Sequence, residues 1–466
     1  MHNYQDNHEE QYRELLERYE GMLHEKSGEG FFDTDEFETI IDHYINENQL
    51  NKATGALSRG LSIHPVATGL LARKGQLLAL QQKPRQALQY IDRALNLEPT
   101  NADYWVMLAG VYDDLDEYEE AEDCFYNALY NTSEPEDIHL MLGAFFMDAE
   151  RFIKAAHHFK EALSIDFHNI EAIEELAICY GHLGQGSKII RLYQRFIDEN
   201  PYSYVAWDNL GATYYRLGRL DEAYQAFEFA ITINENFAQA WLDMGKLLVK
   251  KEAYHEAIAV YEKCLTVDED EAVIHLYLAS CWQKLKDYAK ARGHFKKALG
   301  LDPDMDEALF GIAETYESER RYHYAIYYIN RALELFPYDA MYWRGLVRCQ
   351  ALLHNMEESL EAYEKGLECI PEAIQLWIDY ALALLDLDEA DECIDALKEA
   401  IKINPEAADL YFVLAGALYD EHLLEEAEDY FNGGLCLDKS RYLITFDHFP
   451  HLCDEQRLLQ HLQNHQ

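Results

Sequence analysis

His448, His451 and Cys453 are the residues in this sequence that come nearest to a metal site. Zinc takes neutral imidazoles and thiolates, four of them in a structural site and three plus water in a catalytic one. The H-x2-H-x-C spacing matches no common zinc framework and no fourth donor stands nearby, so these side chains read as packing groups of an aromatic segment. His157 and His158 fall in a helical stretch and read as a packing and surface pair. The nine cysteines, at 124, 179, 264, 281, 349, 369, 393, 436 and 453, are odd in number and include no C-x-x-C pair, a usage that fits a reducing cytoplasm. Phosphate-cradling and nucleophile motifs such as G-x-G-x-x-G, G-x-S-x-G and H-E-x-x-H are missing. The expectation is a chain with no catalytic residue, no cofactor and no metal site.

Charge narrows the class of partner. Of 466 residues, 86 are acidic and 39 are Lys or Arg, a formal charge of −47. Nucleic acid is therefore an unexpected partner, since binding to phosphates is driven largely by Lys and Arg. With 49% apolar and 13% aromatic residues the chain has enough to bury a core. The opening MHNYQDNHEE has no basic and apolar leader pattern, and stretches such as Leu410–Tyr419 fall short of the roughly 18 apolar residues a membrane helix needs. A soluble cytoplasmic chain is expected. Acids are densest from Asp113 to Asp123, with eight in eleven residues. That run reads as a solubilising surface, with a docking patch for a basic partner segment as the alternative.

The elements that carry these residues follow a period. Prolines at 65, 99, 201, 303, 337, 371 and 405 are separated by 34 residues or multiples of 34. Writing the chain in rows of 34 from Thr34 gives twelve rows without insertion or deletion, the last ending at Arg441. Positions 4, 7, 8 and 11 of a row, as in Trp207, Leu210, Gly211 and Tyr214, fall within an arc of about 100° on a helix and form one buried stripe. A second helix shows a stripe at positions 20, 24 and 27, as in Ala223, Phe227 and Ala230. Position 20 is Ala in nine rows, and position 27 is Gly, Ala or Cys in eleven, which lets neighbouring helix backbones approach closely. Cys264 and Cys393 occupy these small-residue sites and read as buried thiols. Acid pairs such as Glu119-Glu120 and Glu425-Glu426 fall where the second helix begins and favour its dipole.

These residues resemble the tetratricopeptide repeat (TPR) family, whose pattern is W-x2-L-G-x2-Y, then A-x3-F-x2-A, then P. The resemblance covers 34–441 and implies an all-α fold, an α-solenoid of antiparallel helix pairs wound into a right-handed superhelix. Residues 1–33 are expected to supply an N-terminal capping helix and linker, and 442–466 a C-terminal capping segment. The row from Ile170 departs from the pattern: Ile189 and Phe196 replace its small residues, and Gly184, Gly186 and Ser187 lie in its turn. A repacked junction is the plainer expectation there, a hinge between rows five and six the other.

In the resembled family the first helix of each pair lines a groove that holds a partner peptide or helix. Positions 2, 5, 9, 12 and 13 are the expected groove set. No row has the Lys at position 5 or Asn at position 9 needed to clamp chaperone C-terminal tails. All six groove bases lie in rows six to ten: Arg216, Lys246, Lys250, Lys284, Arg344 and Arg348. They suit an acidic or carboxylate-bearing peptide, unless they merely neutralise local acids such as Asp208, Glu307, Glu314 and Glu317. Rows one to five carry ten groove acids and no base, among them Asp103, Asp113, Asp114, Glu171 and Glu174. The function expected is a non-enzymatic scaffold or adaptor that binds a protein partner, with self-association open. The alternatives are a regulatory or targeting subunit of an enzyme complex and an acidic, chaperone-like binder of a basic partner.

Overall fold

The computed structural model describes residues 13–23, 31–267, 271–455, 457–458 and 461–462. All regular structure among them is helical, and it divides into two compact units, Met1–Gly218 and Arg219–Gln466.

In the first unit α1 (13–23) precedes α2 (Thr34–Asn46), α3 (Leu50–Ile63), α4 (Thr68–Leu80), α5 (Pro84–Leu97), α6 (Ala102–Asp113) and α7 (Tyr118–Asn131). It continues through α8 (Pro135–Asp148), α9 (Phe152–Ile165), α10 (Ile170–His182), α11 (Gly186–Glu199) and α12 (Tyr204–Arg216). Even-numbered helices from α2 to α24 are the first helices of the rows, here called A; odd-numbered ones from α3 to α25 are B. Each packs on its chain neighbours, and the A helices α2, α4 and α6 also touch one another in series. Tyr19 of α1 is buried edge-on against Phe32 and Phe37, 5.6 and 6.3 Å away, so α1 covers the apolar face of α2.

The second unit holds α13 (Leu220–Ile233), α14 (Ala238–Lys250), α15 (Tyr254–Cys264), α16 (Glu271–Lys284), α17 (Tyr288–Leu301), α18 (Asp306–Ser318) and α19 (Tyr322–Leu335). It ends with α20 (Ala340–Leu352), α21 (Met356–Cys369), α22 (Ile374–Leu385), α23 (Ala390–Ile403), α24 (Ala408–Asp420), α25 (Leu424–Asp438) and α26 (Leu443–His448). Residues after α25 lie over α24: Thr445 Oγ1 donates to Phe412 O at 3.0 Å, and Phe449 and Leu452 are buried.

Two devices repeat with the sequence period. Position 15 of every row has positive φ, from Asn48 (+54°) to His422 (+60°), because each A helix ends in a left-handed residue whose successor caps it. Gln49 N thus donates to Tyr44 O at 2.7 Å, and Arg321 N to Tyr316 O at 2.8 Å. Glycine, the residue that enters this region without strain, occupies only two of the twelve positions, Gly184 and Gly218. The second device ties rows together. The position-4 indole of Trp105, Trp207, Trp343 and Trp377 donates to the carbonyl of the position-32 proline in the preceding row, at 2.8–2.9 Å. Tyr411 does the same with its hydroxyl to Pro405 O at 3.1 Å. The recurring aromatic and the recurring proline are therefore one interaction.

The fifth row is regular in its turn: Gly184 has φ +66°, the conformation every other row also adopts. Its glycine answers a backbone requirement common to all rows. Ile189 and Phe196 are buried, with the Phe196 ring 6.2 Å from Phe167. The boundary between the two units falls after Gly218, inside the sixth row, rather than between rows five and six.

Candidate partner-binding surfaces

On an A helix at 100° per residue, positions 2, 6, 9 and 13 fall within about 60° directly opposite the buried stripe. Positions 5 and 12 turn toward the neighbouring A helix. The structure shows the consequence: Ala72, Phe310, Ile378 and Phe412, all at position 5, are buried between A helices. Asp208 at position 5 is buried as well. The exposed face is thus narrower than the expected set and is centred between positions 2 and 13, with position 6, which that set omits, at its edge, where Gly311, Gly345 and Val413 are buried.

Position 6 carries partners for several expected site residues. Arg344 Nε lies 2.7 Å from Asp379 Oδ2, and Lys246 Nζ lies 2.9 Å from Asp243 Oδ1. Arg348 instead holds Glu317, its Nη2 2.7 Å from Oε2, and the pair lifts the guanidinium further above its ordinary pKa. At least three of the six bases are therefore paired with acids on or beside this face. Lys250 and Lys284 are exposed at position 13 of α14 and α16. Arg216 is exposed at the end of α12, in the first unit, and its charge bears on the buried Tyr193 hydroxyl.

The acidic residues of the first unit lie on or beside the same face of their helices, and Arg73 sits among them. Arg73, at position 6 of α4, lies 2.7 Å from Asp42 Oδ2 and 2.9 Å from Glu38 Oε2. Further along, Asp103, Asp113, Asp114 and Glu171 are exposed, while Glu174 accepts from Asn209 Nδ2 at 2.8 Å. Burial and then the nearby Asp114, Asp148 and Asp116 push the Asp113 carboxyl above its ordinary range. Burial and then Glu171, Glu174 and Asp148 do the same for Glu175. From α6 to α10 this face thus concentrates negative charge.

Family models described as tetratricopeptide repeat match residues 73–138, 204–237, 242–306 and 378–440. The chain is a tetratricopeptide-repeat protein. A model described as PRP39 N-terminal HAT repeat also matches residues 294–404. No curated protein matches the sequence. Among solved structures, this TPR protein is similar to the yeast Tom70 crystal structure at 14% identity and TM-score 0.42, covering 85% of this chain and 99% of that one. It is similar to the APC/C hetero-tetramer Cut9-Hcn1 at 15% identity and TM-score 0.38, over 85% and 96% of the two chains. YrrB, a TPR protein with an unusual peptide-binding site, is similar at 22% identity and TM-score 0.32, over 40% and 95%.

The remaining chemistry-bearing residues of the TPR protein divide by burial. His451 Nε2 lies 2.6 Å from Asp420 Oδ1, and no group of three metal-capable side chains occurs among the described residues. Cys264 and Cys393 are fully buried at the small-residue positions, and burial pushes the Cys393 thiol up to about 12. The structure also reveals two histidine pairs that adjacency in sequence does not suggest. His139 Nδ1 and His158 Nδ1 are 3.1 Å apart in the fourth row, and His275 Nδ1 and His294 Nδ1 are 3.2 Å apart in the eighth. Both pairs join position 4 to position 23. His158, stacked on Phe146 at 5.5 Å, is 3% exposed, whereas His157 beside it faces outward.

Proposed function

We propose that this TPR protein is a scaffold without catalysis of its own, and that its second unit holds a partner's acidic segment on the A-helix face of α14–α20. Lys250 and Lys284 provide charge at the rim of that face, and Arg344 and Arg348 can exchange Asp379 and Glu317 for a partner's carboxylates. One observation supports the reading above the others. Every Lys or Arg at the expected groove positions of this acidic chain lies in rows six to ten, five of the six within the second unit. Such bases inside a negative field deter non-specific anions while offering donors to a fitted carboxylate. Reversing charge with Lys250→Glu and Lys284→Glu, at two exposed positions, tests it. Stoichiometric partners captured by the full chain should fall away while the helical melting curve is unchanged. Undiminished capture by the folded variant would place the partner elsewhere.

A second reading has its own support. The A-helix face of the first unit from α6 to α10 has acids whose pKa values are raised by burial and then by one another. A basic partner segment bound there would relieve that repulsion.

A further inference from the structure

Two cavities recur at one place in the repeat, on the B-helix side. One lies between α5, α6 and α7 and measures about 540 Å3. Its counterpart between α19, α20 and α21 measures about 600 Å3. Each has a position-4 tryptophan in its wall, Trp105 in the first and Trp343 in the second. Because these indole N–H groups already donate to Pro99 O and Pro337 O, at 2.9 and 2.8 Å, each ring offers an entering group its π-face and no donor.

Their rims differ in charge. Beside Trp343, Lys365 stands among the acids and is held by Glu361 at 2.6 Å. Around Trp105 stand Asp92, Glu120 and Asp123, and no lysine or arginine lines the cavity. Burial raises the Asp92 carboxyl above its ordinary range. Tyr112, also in the wall, is raised by burial and then by Asp92, Cys124, Glu117 and Glu120, each acting in the same direction. Aromatic face, aliphatic wall from Leu108 and three carboxylates together suit a group with an apolar stem and a cationic head.

We propose that the cavity between α5, α6 and α7 receives a lysine or arginine side chain from a basic segment of a partner protein. The stem lies against Trp105 and Leu108, and the head sits among Asp92, Glu120 and Asp123. This site is independent of the basic A-helix face: it lies in the first unit, on the B-helix side of the repeat, and has the opposite charge. Two sites of opposite sign would let one chain join an acidic segment and a basic one.

The test uses the full chain and a fluorescein-labelled peptide of alternating lysine and glycine, read by fluorescence anisotropy at physiological ionic strength. A chain of charge −47 attracts any polycation, so the comparison is between two variants that remove equal charge. Asp92→Asn, Glu120→Gln and Asp123→Asn together should weaken binding by about tenfold, as should acetylating the peptide's lysines. Glu389→Gln, Asp391→Asn and Glu392→Gln, at exposed positions in the second unit, should change it by less than about twofold once salt screens the long-range field. Trp105→Phe keeps an aromatic face and should bind nearly as the parent; Trp105→Leu should not. Equal weakening by the two triple variants, or no measurable binding of the peptide by the parent chain, would overturn the proposal.

Discussion

In a pair of histidine rings bonded nitrogen to nitrogen, the accepting ring must stay neutral, because its nitrogen keeps the lone pair that takes the other ring's N–H. Burial, then the facing His139 and His157, lower His158 from 6.5 to about 4, against the weaker opposing pull of Glu122; Lys154 lowers it further. Burial, then His275 and Lys297, lower His294 to about 4. These two rings therefore bind fewer protons in the folded chain than in the unfolded one between about pH 6.5 and pH 4. The stabilisation these pairs provide is complete above that window, is lost as pH falls through it and changes little below it. Thermal melts should show the midpoint falling from pH 7 to pH 5. His158→Gln with His294→Gln, which cannot titrate, should shrink that fall, and an unchanged fall would sink the assignment. The sequence does show His at positions 4 and 23 in just two rows. It does not show the rings meeting, since the two positions lie on different helices and only packing sets their separation.

At the scale of the element, the helices were legible because two stripes, the small residues and the prolines all repeat in one register. The turn was not, because position 15 carries Asn, Gln, Asp, Glu, Lys, Arg, His or Gly with no shared chemistry. What these residues share is a backbone conformation, and side-chain types other than glycine report that poorly. Two substitutions test it in opposite directions. Gly184→Ala should destabilise the fifth row by about 1 kcal/mol, and Glu252→Gly should stabilise the seventh by about 0.5 kcal/mol, as left-handed strain outweighs glycine's entropy. Denaturant midpoints that move the other way would contradict the turn assignment. Phe196, buried where other rows hold a small residue, is a core side chain of its row. Phe196→Ala should cost about 3–5 kcal/mol if the surrounding helices cannot close the gap. A loss below about 1 kcal/mol would show that α10, α11 and α12 collapse onto the smaller residue, as a pliant junction would.

For the whole molecule, stacked repeats leave an apolar face at each end of the array. Thr445, Phe449 and Leu452 cover α24, where Phe412 and Leu418 are fully buried. Removing residues 442–466 should therefore expose that face and raise the apparent mass in light scattering; a truncated chain as monodisperse as the full one would refute the capping role. The proposed partner face was only half legible: the bases were visible by position and Glu317 stood among the acids expected to neutralise them, but the pairing of Arg344 with Asp379 depends on how adjacent A helices pack. The central claim is that a partner occupies the A-helix face of the second unit, and its most direct test is a photo-cross-linking residue placed on either side of the repeat. Met341, at position 2 of α20, and Tyr327, on α19, are similarly exposed at 54% and 57%. With the benzophenone side chain at position 341, irradiation of the native complex should give a covalent partner adduct, and at position 327 it should give none. An adduct from position 327 alone, or from neither, would contradict the account.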